Sequence, residues 1–408
     1  MTRVVVLAPE PIRPRMAGMG IRALELARAL ASERDVLLLV PNRAEEARPV
    51  ADGIPVRSTA SGLASAAAGA AAAVVSGHAA SAWLREVPSV PVAVDLYDPF
   101  PIENLHYVAD LGEGVARHDR ETIALALARG DFFLCASAEQ RLFYAGALYA
   151  ADRVGPHNFP EDPGLSRLLA VVPFGVPDEP ARGDRSRGRA AARVRSDGPL
   201  VLFGGIYDWY EPGLLLEAWP FVRESRSDAR LLFFENPNPE TTPQRAMALA
   251  KERARQLDPS GESIVFAPWL PYAERQDLYA AADVAVSLAR EGLETDLSYR
   301  TRLLDAAWGG VPSVTVGGGA LARDLAESGA GLRAPFRAED LARAILDVLG
   351  ARDRFSEAAR RFASARTWKR VSQPLAAWCR EASIDPGRRP FPEEEATPLW
   401  RRLWQGAS

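Results

Sequence analysis

Between Glu294 and Gly319 the chain reads ETDLSYRTRLLDAAWGGVPSVTVGGG. Among its first twelve residues, Glu294, Thr295, Ser298, Arg300, Arg302 and Asp305 supply two carboxylates, two hydroxyls and two guanidinium groups. Ser298, Arg302 and Asp305 stand at i, i+4 and i+7, which predicts one stripe of a helix, with Leu303, Ala306, Ala307 and Gly310 on its buried side. A helix entered through polar residues, with arginines in its first turns, suits an anion such as a diphosphate. The carboxylate that closes the stripe suits the hydroxyls of a ribose. The same spacing also fits a solvated face, where an i,i+3 pair such as Arg302–Asp305 contributes only about 0.2–0.5 kcal/mol. The elements around the stripe have to decide between these readings.

Those elements alternate. Val4–Ala8 and Val36–Val40 are apolar runs flanking an amphipathic segment, Ile21–Ala31. Ala73–Val75, Val90–Val94, Phe132–Ala136 and Ala170–Val172 continue the series, with helix-like sequence between most of them. The rhythm breaks at Asp178–Gly198, a charged, glycine-containing segment without an apolar stripe that reads as an exposed linker or mobile loop. It restarts with Leu200–Phe203, Leu231–Phe234, Ile264–Ala267, Val284–Leu288 and Ser313–Val316. Strands apolar throughout and separated by helices predict parallel sheets covered on both faces. The fold class expected is therefore α/β, with two Rossmann-like, doubly wound domains over residues 1–177 and 199–367 facing each other across a cleft. Residues 368–408, punctuated by Trp368, Trp378, Trp400 and Trp404, are expected to cross back and pack on the first domain. For Leu399–Trp404 (LWRRLW) an interfacial anchor is the alternative.

Composition narrows the function classes. A chain of 408 residues exceeds what one core usually supports. The net charge of −4 gives no electrostatic reason to expect nucleic acid. Two cysteines, Cys135 and Cys379, are too few for a disulfide framework or a cysteine-based metal site, and both read as structural. His78, His106, His118 and His157 show no metal-ligand spacing, so no metal is expected. No secretory signal pattern is seen, and the alanine-rich run Ala64–Val75 is shorter than the roughly 20 residues a membrane span needs. The expectation is a cytoplasmic protein, with peripheral contact at the inner membrane face left open.

Four motifs, in order, resemble the GT-B superfamily of glycosyltransferases, in particular the family-4 retaining enzymes. Pro9–Gly20 ends in Gly18 and Gly20 before a helix, like that family's first glycine-rich loop. Val171–Val176 (VVPFGV) resembles its "v-P-n-G-v" close of the first domain. Leu202–Ala218 (LFGGIYDWYEPGLLLEA) is similar to "G-r-l-d-x-x-K-G-x-x-x-L-x-x-A", and Asp305–Pro312 (DAAWGGVP) to "E-A-m-a-x-G-x-P". The resemblance implies transfer of a sugar from a nucleotide diphosphate sugar to a carbohydrate, lipid-linked glycan or small-molecule acceptor, with retention of configuration. It implies neither metal nor other cofactor. Asp305 would bind the ribose, and Gly18, Gly20, Gly205, Tyr207, Thr295, Ser298, Arg300, Thr301 and Gly318 would surround the donor.

The chain departs from that pattern in places. Gly204, Gly205 and Ile206 cover the place of the usual arginine, and Pro212 stands where lysine is expected, so Arg300 and Arg302 become the candidates for the diphosphate. Leu297 stands eight residues before Asp305, which leaves Glu291, Glu294 and Asp296 as the acidic candidates; Glu294 is the choice for sugar hydroxyls. Tyr97–Asp98 replaces a common "H-D" pair, and Asp95, Tyr97, Asp98 and Glu103 cluster past a strand end on the acceptor side. Asp98 is the candidate for proton removal. The plainer alternative for Asp95 or Asp98 is a turn cap.

Three other classes compete. Gly18–Ala23 fits G-x-G-x-x-A of nicotinamide dehydrogenases, but nine residues separate it from Ala8 and no acid ends the second strand. A sugar-nucleotide epimerase of the same fold and a non-catalytic glycosyltransferase-like binding protein are the remaining alternatives.

Overall fold

The computed structural model describes residues 3–236 and 242–389. Seven strands form the first sheet: β1 (Arg3–Leu7), β2 (Asp35–Val40), β3 (Val56–Ser58), β4 (Ala70–Ser76), β5 (Val92–Asp95), β6 (Phe132–Cys135) and β7 (Leu169–Val171). Six form the second: β8 (Leu200–Phe203), β9 (Arg230–Phe234), β10 (Ile264–Ala267), β11 (Val284–Leu288), β12 (Ser313–Val316) and β13 (Gly331–Arg333). The orders are β3-β2-β1-β4-β5-β6-β7 and β10-β9-β8-β11-β12-β13, and every ladder pair is parallel. Helices cover both faces, which is why β1, β6 and β8 are apolar without alternation and buried almost throughout. Each order reverses once, at β1/β4 and at β8/β11, and ligands of open parallel sheets bind outside the strand ends at such a point.

Asp178–Gly198, expected as an exposed linker or mobile loop, is exposed at many positions but also holds a helix. Arg185–Ala191 is a helix capped by Asp184, whose side chain accepts from Arg187 N. It packs flat on helix Arg275–Ala281, because a Cβ at Gly188 would collide with the Asp277 carbonyl. Arg185 grips Asp283 with both Nη atoms at 3.2 and 3.0 Å, so part of this segment's charge is spent within the second domain.

After Thr367 the chain returns to the first domain. Val176 and Thr367 form a parallel bridge, the Trp368 ring lies 4.7 Å from Phe174, and Trp378 stacks on Phe132 at 5.5 Å. Asp385 then accepts from Arg153 at 2.9 Å. Leu399–Trp404, the alternative anchor, lies outside the described residues. Among the described residues no helix is long and apolar enough to cross a membrane.

Candidate active site

The loops leaving β1, β5, β8, β10 and β11 line one cleft of about 540 Å³ between the two domains. The first domain contributes Glu10, Gly18, His78, Tyr97, Asp98 and Glu103. The second contributes Gly204, Tyr207, Trp209, Trp269, Arg275, Ser298, Arg300, Thr301, Arg302 and Asp305. One wall therefore carries the carboxyls of Glu10, Asp98 and Glu103, and the other the guanidinium groups of Arg275, Arg300 and Arg302 beside the carboxyl of Asp305.

Helix Thr301–Trp308 begins at the cleft and presents Arg302. Arg302 Nη1 donates to the Gly205 carbonyl at 2.8 Å, and the guanidinium lies 5.2, 5.8 and 5.4 Å from the rings of Tyr207, Tyr210 and Trp269. It pairs with no carboxylate among the described residues. Aromatic faces favour the cation without neutralising it, so its charge stays available to an anion.

Arg300 is held differently. Its Nη2 donates to Glu294 at 2.8 Å, and the guanidinium sits 4.7 Å from the Tyr210 ring. Ser298 Oγ donates to the other Glu294 oxygen at 2.5 Å and lies 2.8 Å from the Glu294 carbonyl. Arg275 stacks on Tyr272 at 3.6 Å and reaches Asp305 at 3.5 Å. Its Nη2, like Trp209 Nε1, is buried without a hydrogen-bond partner, which leaves two donors on this wall unspent.

Burial pushes the carboxyls of Asp98 and Glu103 upward, and the two hydrogen-bond to each other. The nearby charges of Asp95 and Glu294 add to the rise at Asp98. Glu10 Oε1 accepts from Gly20 N at 2.5 Å, at the start of helix Gly18–Ala31. Burial still drives Glu10 up to about 7, against the lowering pull of Gly20 N. His78 stands 3.2 Å from Asp119 and stacks on His118 at 4.8 Å; burial lowers its pKa.

Residues 198–351 match the model of the family described as Glycosyl transferases group 1. The fold is that of the GT-B glycosyltransferases. Anabaena Alr3699/HepE, solved with UDP-glucose, superposes with a TM-score of 0.68 at 14% identity, covering 93% of this chain and 99% of that one. Sucrose-phosphate synthase from Thermosynechococcus elongatus gives 0.65 at 13%, covering 93% and 99%. A putative UDP-N-acetylglucosamine 2-epimerase from Listeria monocytogenes gives 0.53 at 15%, covering 94% and 97%. At these identities the superpositions establish fold, and the group 1 match supports glycosyl transfer. No curated protein matches the sequence significantly.

Within this GT-B frame several expected site residues change role. The stripe Ser298–Arg302–Asp305 is not one helix. Leu293–Leu297 ends where Ser298 turns extended and bonds back to Glu294, and a new helix starts at Thr301. Arg302 and Asp305 share that second helix and both line the cleft, while Ser298 enters from the break. Glu294, expected to meet sugar hydroxyls, is 7% exposed and sits behind the cleft, holding Arg300. Thr295 donates to the Arg290 carbonyl at 2.7 Å, and Gly318 backs onto Thr295 and Asp296.

On the first domain, Asp95 is spent on Arg22, which donates to it at 2.6 and 2.9 Å with both residues buried. Gly18 lines the cleft, but the amide of Gly20, expected beside the donor, is taken by Glu10. Tyr97, Asp98, Glu103, Tyr207, Arg300 and Thr301 all line the cleft, and Gly205 adjoins it through its bond to Arg302. Sequence reasoning missed Glu10, His78, Trp209, Trp269 and Arg275. For Arg275 no local pattern announces the role; for Glu10 its place just past β1, in the loop already read as glycine-rich, was the available signal.

Proposed function

We propose that the protein transfers a hexosyl group from a nucleotide diphosphate sugar to an acceptor hydroxyl with retention of configuration, building a glycan, polysaccharide or glycosylated metabolite. The observation that carries this reading is Arg302, a cation without an acidic partner among the described residues, set at the strand ends of the second domain inside a cleft of about 540 Å³. As the bond from the anomeric carbon to the phosphate stretches, negative charge grows on the diphosphate. A fixed guanidinium in a site shielded from water stabilises that charge most when it is largest. The proposal thus gives the leaving group Arg302 in place of a metal ion, with Arg300 behind it. Asp305, steadied by Arg275, accepts from the ribose hydroxyls. Asp98 and Glu103 on the opposite wall accept and donate to acceptor hydroxyls. HepE was solved with UDP-glucose, which makes uridine diphosphate hexoses the first donors to try.

The test is a thermal-shift series with nucleoside diphosphates, followed by anomeric proton NMR of the product formed from the best donor. A bound nucleotide raises the unfolding temperature by mass action, and retention appears as an unchanged anomeric coupling class. No stabilisation by any nucleoside diphosphate would sink the reading. Interconversion of donor epimers without transfer would replace it with epimerase chemistry.

A further inference from the structure

We propose that a second cavity, beside the cleft at the two crossings between the domains, binds a phosphorylated polyhydroxy compound of the size of a sugar monophosphate. The site lies outside the transfer reading and does not depend on it. The cavity measures about 640 Å³ and is lined by residues 177–181 on the first crossing and 363–364 on the second. Positive charge is in excess there. Arg185, Arg189 and Arg352 converge on the single carboxylate of Asp283, at 3.0, 3.7 and 3.1 Å. Three guanidinium groups thus share one acid, and Arg185 and Arg352 both line the cavity. Arg360, on the same helix as Arg352, lines it too and pairs with no carboxylate among the described residues. Its guanidinium is seated against Gly310, where φ is +74° and a Cβ would stand 2.5 Å from Arg360 Nε.

Guanidinium groups in this arrangement suit a phosphate, whose oxygens accept their paired N–H donors. A bare phosphate would leave most of the 640 Å³ unfilled. Asp178 and Glu179, exposed on the same lining, select what fills the rest. Carboxylates repel a polyanion but accept hydrogen bonds from hydroxyl groups. One phosphate ester carrying several hydroxyls meets both demands. Its binding should be felt in the cleft, because Tyr279 lines both cavities. Trp308 lines the second cavity, donates from Nε1 to the Glu179 carbonyl at 2.8 Å, and lies 4.9 Å from the Arg275 guanidinium. Arg275 in turn reaches Asp305. A ligand that fixes the first crossing and Trp308 therefore biases the Arg275–Asp305 wall, and a ligand on that wall changes the affinity of this cavity by the same factor.

The test follows binding of glucose 6-phosphate, inorganic phosphate and glucose by calorimetry to wild type, Arg360→Glu, Arg360→Gln and Arg302→Ala. The ester should bind wild type and Arg302→Ala alike, and Arg360→Glu at least about tenfold more weakly, the loss of one charge-assisted contact. Arg360→Gln should fall between, and Arg360 is exposed, so urea melts of both variants should match wild type. Inorganic phosphate should bind at least about tenfold more weakly than the ester, because it leaves the hydroxyl partners unused. No binding to wild type, or binding that survives both Arg360 substitutions unchanged, overturns the site. Loss in Arg302→Ala instead would put the ester in the cleft and overturn it too. Equal affinity for ester and inorganic phosphate would leave an adventitious ion only, which also overturns the proposal. The coupling is read from uridine diphosphate affinity, which saturating ester should change about fivefold in wild type, the low end of such couplings, and leave unchanged in Arg360→Glu. An unchanged value in wild type overturns the coupling. If wild type binds no nucleoside diphosphate, the transfer reading fails, whereas the Arg360 comparison still decides this site.

Discussion

Arg302 lies directly against the bare Cα of Gly204: a methyl group there would collide with the arginine Cδ. The glycine pair after β8 thus makes room for a cation supplied from a different helix. Gly204→Ala is therefore expected to push the guanidinium off the Gly205 carbonyl and out of its aromatic seat. Arginine is flexible, so stability should change by no more than about 1 kcal/mol, whereas nucleoside diphosphate affinity should fall about tenfold, or roughly 1.4 kcal/mol. Calorimetric titration beside a urea melt checks both. Unaltered affinity would mean that Arg302 does not need this seat.

Removing the cation itself should strike the chemical step. Arg302→Ala is expected to lower kcat by about 10²–10³, the usual cost of deleting one donor to a developing anion. Arg302→Lys should recover only part of it, because an ammonium lacks the planar fork that stacks among Tyr207, Tyr210 and Trp269. Steady-state kinetics with one fixed donor decide this; full activity in the alanine variant would remove Arg302 from the leaving-group role.

Asp305 gives a sharper test because its proposed ligand can be edited. If it grips ribose, Asp305→Asn and a 2′-deoxynucleotide should each weaken binding, and the two together should cost less than their sum. Arg275→Met should mimic part of the loss, since Arg275 is the side chain that steadies Asp305. Strict additivity in competition assays would separate Asp305 from the ribose.

Much of this frame was legible beforehand. The runs Leu200–Phe203, Ile264–Ala267, Val284–Leu288 and Ser313–Val316 coincide with β8, β10, β11 and β12, because a parallel strand buried on both faces is rich in apolar residues, with at most small hydroxyl residues between them. Val56–Ser58 and Gly331–Arg333 escaped, being three-residue edge strands with exposed members. Within the site, Arg302 and Asp305 were readable from helical spacing. The fate of Glu294 was not, since the break at Ser298 depends on a side chain folding back onto its own helix end. The partners of Asp95 and Glu10 lie far along the chain or across a loop, and no local pattern encodes them.

The Arg22–Asp95 pair predicts a structural phenotype for a residue first expected on the acceptor side. Arg22 is 1% exposed and also donates to the carbonyls of Val172 at 2.8 Å and Pro173 at 3.1 Å, tying helix Gly18–Ala31 to the end of the first domain. Asp95→Ala strands a buried guanidinium, which costs about 3–5 kcal/mol. Denaturant unfolding should show that loss, while an Arg22→Met/Asp95→Leu double variant should regain much of it.

The raised affinity of Glu10 for its proton also has a signature that needs no substrate. A carboxyl whose pKa is about 7 folded, against an ordinary 4.5, binds its proton more tightly in the folded state. Between those values the folded protein retains a proton that the unfolded chain has released. The contribution of Glu10 to stability therefore declines as pH rises from about 4.5 and levels off above about 7. Glu10→Gln abolishes this linkage. The stability of the glutamine variant relative to wild type should thus be flat below pH 4.5, climb steadily to pH 7, and be flat again beyond it. Parallel denaturant curves at half-unit intervals measure that difference directly. A difference independent of pH would place the Glu10 carboxyl in ordinary solvent, against its buried position beside the Gly20 amide.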